Sequence, residues 1–170
     1  MVAISESQMA ATFILTAELD PASFAWLDGL RRNYFPPERN LLPAHLTLFH
    51  RLSSEQTGRL REVRLPRGPI RVLLDAPLPL GPGVAIRVRS PDLEQVRSAA
   101  RLAMGGEFSR QDSQGWRPHV TIQNKVAADV AKRLRQQLAT DFEPRAGAAT
   151  ALLVWEYLNG PWKPVDRLPF

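Results

Sequence analysis

Two short words in this sequence could do chemistry together, His45-Leu46-Thr47-Leu48 and His119-Val120-Thr121-Ile122, each a His-x-Thr-apolar tetrad. In a strand successive side chains alternate faces, so each tetrad turns an imidazole and a hydroxyl one way and two aliphatic residues the other. Phe49 and Gln123 fall in phase with the polar pairs and are expected beside them. Two such strands across one cleft surround a phosphate-sized ligand with two imidazoles and two hydroxyls. Displacement at a phosphodiester needs a base for the attacking oxygen and an acid for the departing one, and histidine, with an ordinary pKa near 6.5, can serve as either. The threonine hydroxyls can donate to the non-bridging oxygens as charge grows there. The near-symmetry of the tetrads leaves open which histidine is base and which is acid.

Other chemistries lack their residues. The chain has three histidines and no cysteine. Pairing His45 with His50 as metal ligands fails, because an offset of five puts them on opposite faces of a strand and no carboxylate follows at ligand spacing. There is no Gly-x-x-x-x-Gly-Lys-Ser/Thr loop, no Gly-x-Ser-x-Gly elbow and no paired-aspartate motif. No metal and no cofactor are therefore expected.

The elements that must position the tetrads can be read from patterning. Residues 11–18 predict a buried strand, and Asp20-Pro21 supplies a helix cap with proline at the first turn, opening a helix to about Asn33. Pro36-Pro37 stops it, so the segment around residues 34–42 is a loop leading to a strand at 44–50. Ser53-x-x-Gln56 is a capping box for a helix to about Val63. Residues 70–75 and 84–89 predict a hairpin joined by a proline- and glycine-rich turn. Ser90-Pro91 opens a helix that Gly105-Gly106 ends, followed by a polar loop over 107–116. A strand at 118–126 carries the second tetrad, a helix covers 127–140, a strand 149–157, and Asn159-Gly160 turns a hairpin into 162–168. The loops at 34–42 and 105–117 are placed to gate the cleft. Strand-helix-strand-with-tetrad-then-helix occurs once in each half, and the histidines lie 119 − 45 = 74 residues apart. The pattern predicts two similar lobes sharing one core in a single domain over 1–170.

Bulk properties fit that reading. A net charge of +5 and pI near 10.4 favour anionic partners such as nucleotide phosphates, though 19 of the 22 cations are arginine, a bias that base composition alone can produce. Residues 1–10 hold no basic-then-apolar leader, and no apolar run reaches the length of a membrane span, so a cytoplasmic protein with no membrane partner is expected.

The paired tetrads, their spacing and the strand-helix order resemble the 2H phosphoesterase superfamily, especially its bacterial 2′-5′ RNA ligase-like branch. Supporting segments are Tyr34 to His45, Arg117-Pro118-His119 and Asn159-Gly160-Pro161-Trp162. The resemblance implies an α+β fold of two pseudo-symmetric antiparallel lobes, with outer helices around a central cleft. It implies that His45, Thr47, His119 and Thr121 are catalytic. The implied reaction is hydrolysis of a 2′,3′-cyclic phosphate, on an RNA end or a nucleotide, to a 2′-phosphate, with reverse 2′-5′ ligation possible. A monomer is expected. Of the flanking residues, Arg117 is a candidate phosphate contact, and Phe49, Trp116 and Tyr34 are candidates to stack on a base, with core packing or loop anchoring as each one's alternative. Trp155 and Trp162 read as structural. The competing function is a non-catalytic protein that holds RNA ends or nucleotides in the same cleft.

Overall fold

The computed structural model describes residues 10–170, so the start of the chain, read above for a leader, lies almost wholly outside the described residues. The order is β1 (Phe13–Leu19), α1 (Pro21–Tyr34), β2 (Leu46–Leu52), α2 (Ser54–Arg59), β3 (Ile70–Pro79), β4 (Val84–Arg89), α3 (Pro91–Met104), α4 (Arg110–Ser113), β5 (His119–Gln123), α5 (Ala128–Thr140), β6 (Arg145–Tyr157) and β7 (Trp162–Pro169). Among the described residues, no helix is long and apolar enough to cross a membrane.

The expected caps form. Asp20 accepts from the Ser23 amide at 3.0 Å, and Ser90 Oγ accepts from the Leu93 amide at 3.2 Å. Ser53 and Gln56 make the reciprocal box, each side chain accepting from the other's amide. Helix α2 is shorter than the pattern predicts, giving way to a 3₁₀ turn over Leu60–Glu62.

All seven strands join one antiparallel sheet in the order β2-β1-β6-β3-β4-β5, with β7 also on β6. Strand β6 is the shared member. Its residues Arg145 to Ala149 pair with β3, while Ala149 to Glu156 pair with β1 and Ala151 to Tyr157 with β7. The first lobe is thus β2, β1, the C-terminal part of β6, and β7; the second is β5, β4, β3 and the N-terminal part of β6. Strand β6 begins four residues before its expected start, because Arg145-Ala146-Gly147-Ala148 contains no β-branched or aromatic residue to signal a strand. Gly147 is required there: a Cβ would overlap Ser23 Oγ, where the start of α1 docks and Asp20 accepts from the Ala148 amide. Strand β3 runs on through Pro77 and Pro79, since past Leu74 it pairs only with β4 and has a free edge for residues that cannot donate.

One apolar cluster runs through both lobes, joining Leu15, Leu46 and Leu48 to Ile86, Val120 and Ile122, all fully buried. Each such side chain contributes about 1.5–3 kcal/mol. Exposed helix pairs such as Arg59–Glu55 contribute well under about 1 kcal/mol, so the shared core dominates.

Candidate active site

The two tetrads are built alike in detail. His45 stands immediately before β2 and His119 opens β5. His45 Nδ1 lies 2.8 Å from the Pro43 carbonyl, and His119 Nδ1 lies 2.6 Å from the Arg117 carbonyl. A carbonyl only accepts, so Nδ1 carries the proton in both rings and each Nε2 is left to exchange one with a ligand. Thr47 and Thr121, half-buried, follow at the same offset.

Both tetrads end in a bulge at the same place. Thr16 and Leu15 of β1 pair with Thr47 and Phe49, leaving Leu48 extra. Ala85 and Val84 of β4 pair with Thr121 and Gln123, leaving Ile122 extra. A bulge breaks the two-residue alternation. The expectation that Phe49 and Gln123 follow the polar face therefore fails: Phe49 is fully buried and Gln123 is 3% exposed.

Each tetrad strand is held by a buried arginine from the other half of the chain. Arg31 of α1 donates through Nη1 to the Thr121 carbonyl at 2.9 Å, and through Nε to the Leu42 carbonyl and Asn40 Oδ1. Arg97 of α3 donates to the Leu48 carbonyl at 2.9 Å and to the Asp112 carbonyl. Trp116 adds an indole N–H bond to the Thr47 carbonyl at 3.0 Å. These bonds draw the two ends of the sheet toward each other.

The surroundings of the histidines differ. The Trp162 ring packs on His45 with centroids 4.7 Å apart, and burial pushes the His45 imidazolium down to about 4, with Arg31, His50 and His119 adding repulsion and the Pro43 bond opposing. His45 is therefore a neutral imidazole with a free Nε2 lone pair near neutral pH. A cavity of about 730 Å³ opens beside it, lined by Thr16, Leu153, Trp155, Trp162 and the loop residues Leu41 to Ala44. This cavity touches neither His119 nor the two tetrad threonines, so it lies on the His45 side rather than midway between the tetrads. Among the described residues no three His, Asp or Glu side chains are grouped to hold a metal ion.

The flanking candidates fall in different places. Phe49 packs against Phe108 and under the Arg97 guanidinium, inside the core and out of reach of a base. Tyr34 packs on the core from α1. Trp116 is anchored by its indole N–H to β2, with Arg97 over its ring at 5.5 Å. Arg117 is exposed, and its carbonyl orients His119. Conversely, Trp155 and Trp162, read from sequence as structural, line the cavity. The segment expected as a polar loop contains α4 and is pinned: Asp112, 1% exposed, accepts from the His50 and Arg51 amides and from His50 Nδ1. Gln56 also donates to the Gly105 and Glu107 carbonyls. Arg31 and Arg97 escape a sequence reading because a buried arginine leaves no mark in patterning that treats cations as surface residues.

Comparison with known proteins agrees with this architecture. No curated protein matches the chain. Among solved structures, E. coli LigT complexed with 3′-AMP superimposes with a TM-score of 0.62 at 20% identity, over 95% of this chain and 98% of that one. TT0787 of Thermus thermophilus gives 0.63 at 14% identity over 93% and 97%, and Kluyveromyces marxianus Usb1 gives 0.52 at 17% over 94% and 97%. At these identities the likeness is one of fold. A family model described as the 2′-5′ RNA ligase superfamily matches residues 19–161, from the end of β1 to the turn before β7, and the chain belongs to that superfamily of 2H phosphoesterases.

Proposed function

We propose that the chain is a metal-independent cyclic phosphodiesterase that opens 2′,3′-cyclic phosphates of RNA ends or nucleotides to 2′-phosphates, with reverse 2′-5′ ligation as a further activity of the same site. The observation that carries this reading is the pair of imidazoles fixed alike through Nδ1, one of them kept neutral by burial. His45 Nε2 takes a proton from water as its oxygen attacks phosphorus. His119 Nε2–H gives a proton to the departing 3′ oxygen, and the P–O3′ bond breaks. The product is a 2′-phosphomonoester and a 3′-hydroxyl, and proton exchange with solvent resets both rings. Thr47 and Thr121 donate to the non-bridging oxygens as charge accumulates. The cavity beside His45 suits the nucleoside, with Trp155 and Trp162 as planar surfaces for the base.

The test is to incubate the purified protein with a nucleoside 2′,3′-cyclic phosphate and identify the product by phosphorus NMR. A 2′-phosphate formed equally well with EDTA present is expected. A 3′-phosphate product, or activity abolished by EDTA and restored by a divalent ion, defeats the reading. Tight binding with no product points to the competing role as a nucleotide- or RNA-end-binding protein.

A further inference from the structure

The inner faces of the two lobes offer a ligand different chemistry. In the β4–β5 ladder Arg87 is the direct partner of His119, which places the two side chains on one face with Cβ atoms about 5 Å apart. Arg89, two residues along β4, points to the same face. Between them stands Asp75, the extra residue of a bulge in β3. Its Oδ2 accepts from Arg87 Nε at 2.7 Å and lies 2.8 Å from Arg89 Nε. One carboxylate shared by two guanidiniums leaves a positive charge uncompensated and holds both heads in place. Asp75 is only 15% exposed, whereas Arg87 and Arg89 remain 45% and 62% exposed, so their other edges are open to a ligand. Arg117, exposed two residues before His119, adds to the same positive field.

The His45 side has no counterpart. Its wall is Thr16, Leu153, Trp155 and Trp162, and the one guanidinium among the cavity's lining residues, Arg167, is occupied by Glu18 through Nε at 3.1 Å and Nη2 at 2.8 Å. A bare cyclic nucleoside phosphate carries a single negative charge at the reacting phosphorus and nothing for a cationic strip beyond His119 to bind. Guanidiniums with a preset orientation are the groups that recognise a further phosphate.

On the phosphodiesterase reading above, we propose that Arg87 and Arg89 form a second anion subsite beside His119 that binds a further phosphate of the substrate. The substrate is then an oligonucleotide end or a phosphorylated nucleotide, in preference to an unphosphorylated nucleoside cyclic phosphate. The aromatic cavity takes the nucleoside, the tetrads take the reacting phosphorus, and the arginines take the next phosphate along.

Three substrates test this: a nucleoside 2′,3′-cyclic phosphate, its 5′-phosphorylated form, and a dinucleotide ending in a 2′,3′-cyclic phosphate. The wild-type kcat/KM is expected to favour the phosphate-bearing substrates by about tenfold or more, expressed in KM, and rising salt should erode the preference. In Arg87→Ala/Arg89→Ala the preference should collapse to near unity. A preference shared by both phosphorylated substrates identifies a free phosphate as sufficient, and one confined to the dinucleotide identifies the chain backbone. A wild-type ratio near one, or a ratio unchanged in the variant, overturns the proposal. Circular dichroism checks folding, and if the double variant does not fold, Arg89→Ala, further from the tetrad strand, is judged by the same ratio. If no substrate turns over, the phosphodiesterase reading fails, and calorimetry with a dinucleotide 3′-phosphate against a nucleoside 3′-phosphate judges the subsite alone. Equal affinities overturn it; a preference lost in the variant sustains it.

Discussion

The strand carrying His45 and the strand carrying His119 share a hydrogen-bonding scheme, a threonine offset and a bulge position, yet they look out on different surroundings. Beside His45 are a tryptophan ring and an apolar cavity; beside His119 is an arginine. The backbone thus supplies two equal tools, and the neighbouring strands make them unequal. On the proposed reading the base role falls to His45, because β6 and β7 set tryptophan rings and an apolar wall beside it that keep its imidazole neutral.

The most forceful way to break that comparison is to remove each histidine. His45→Ala and His119→Ala should each lower kcat on a 2′,3′-cyclic nucleotide by about 10²–10⁴-fold with the fold intact by circular dichroism. They should differ on a p-nitrophenyl phosphodiester, whose leaving group needs no proton: His119→Ala should retain most of its turnover and His45→Ala should not. The reverse outcome would exchange the assigned roles.

Next in size is a stability effect confined to one side. With its folded pKa at about 4 against about 6.5 unfolded, His45 contributes stability that is complete above pH 6.5 and is lost as pH falls toward 4, up to about 3 kcal/mol. Urea melts across that range should show this loss in the wild type and a flatter dependence in His45→Gln.

The buried arginines offer a subtler break. Arg31→Met strips donors from the Thr121 and Leu42 carbonyls and Arg97→Met from those of Leu48 and Asp112, so each should cost about 2–3 kcal/mol in chemical denaturation. Amide shifts should move most around Thr121 in the first variant and around Leu48 in the second. Shifts confined to the mutated helix would contradict that bridging.

The smallest expected change sharpens the comparison. Trp162→Ala opens His45 to water, and its pKa, followed by NMR titration, should rise by about one unit or more toward 6.5. The acid limb of the activity profile should shift to higher pH with it.

How much of this is legible in the sequence depends on the kind of signal. The caps at Asp20, Ser53 and Ser90 are local features and form where patterning puts them, while the tetrad strands form over shifted or shorter spans, Leu46–Leu52 and His119–Gln123 against the expected 44–50 and 118–126. The bulges at Leu48 and Ile122 are invisible there because a bulge is a property of a strand pair, and they carry Phe49 out of the site. Trp162 and Arg87 gain their places through registers with β6 and β5, which no single stretch of sequence encodes. The start of β6 is silent because small residues allow close approach of α1 without announcing a strand.

Strand β6 has a mechanical consequence. Ala149 is paired on both edges, to Leu19 of one lobe and Ile70 of the other. The two halves of the sheet therefore meet on a single extended segment, and its twist, together with the Arg31 and Arg97 bridges, sets the gap between the two imidazoles. An extended run bonded on both edges is stiff, so such a molecule would work as a fixed jig into which the phosphorus must fit, more than as a jaw that closes on it.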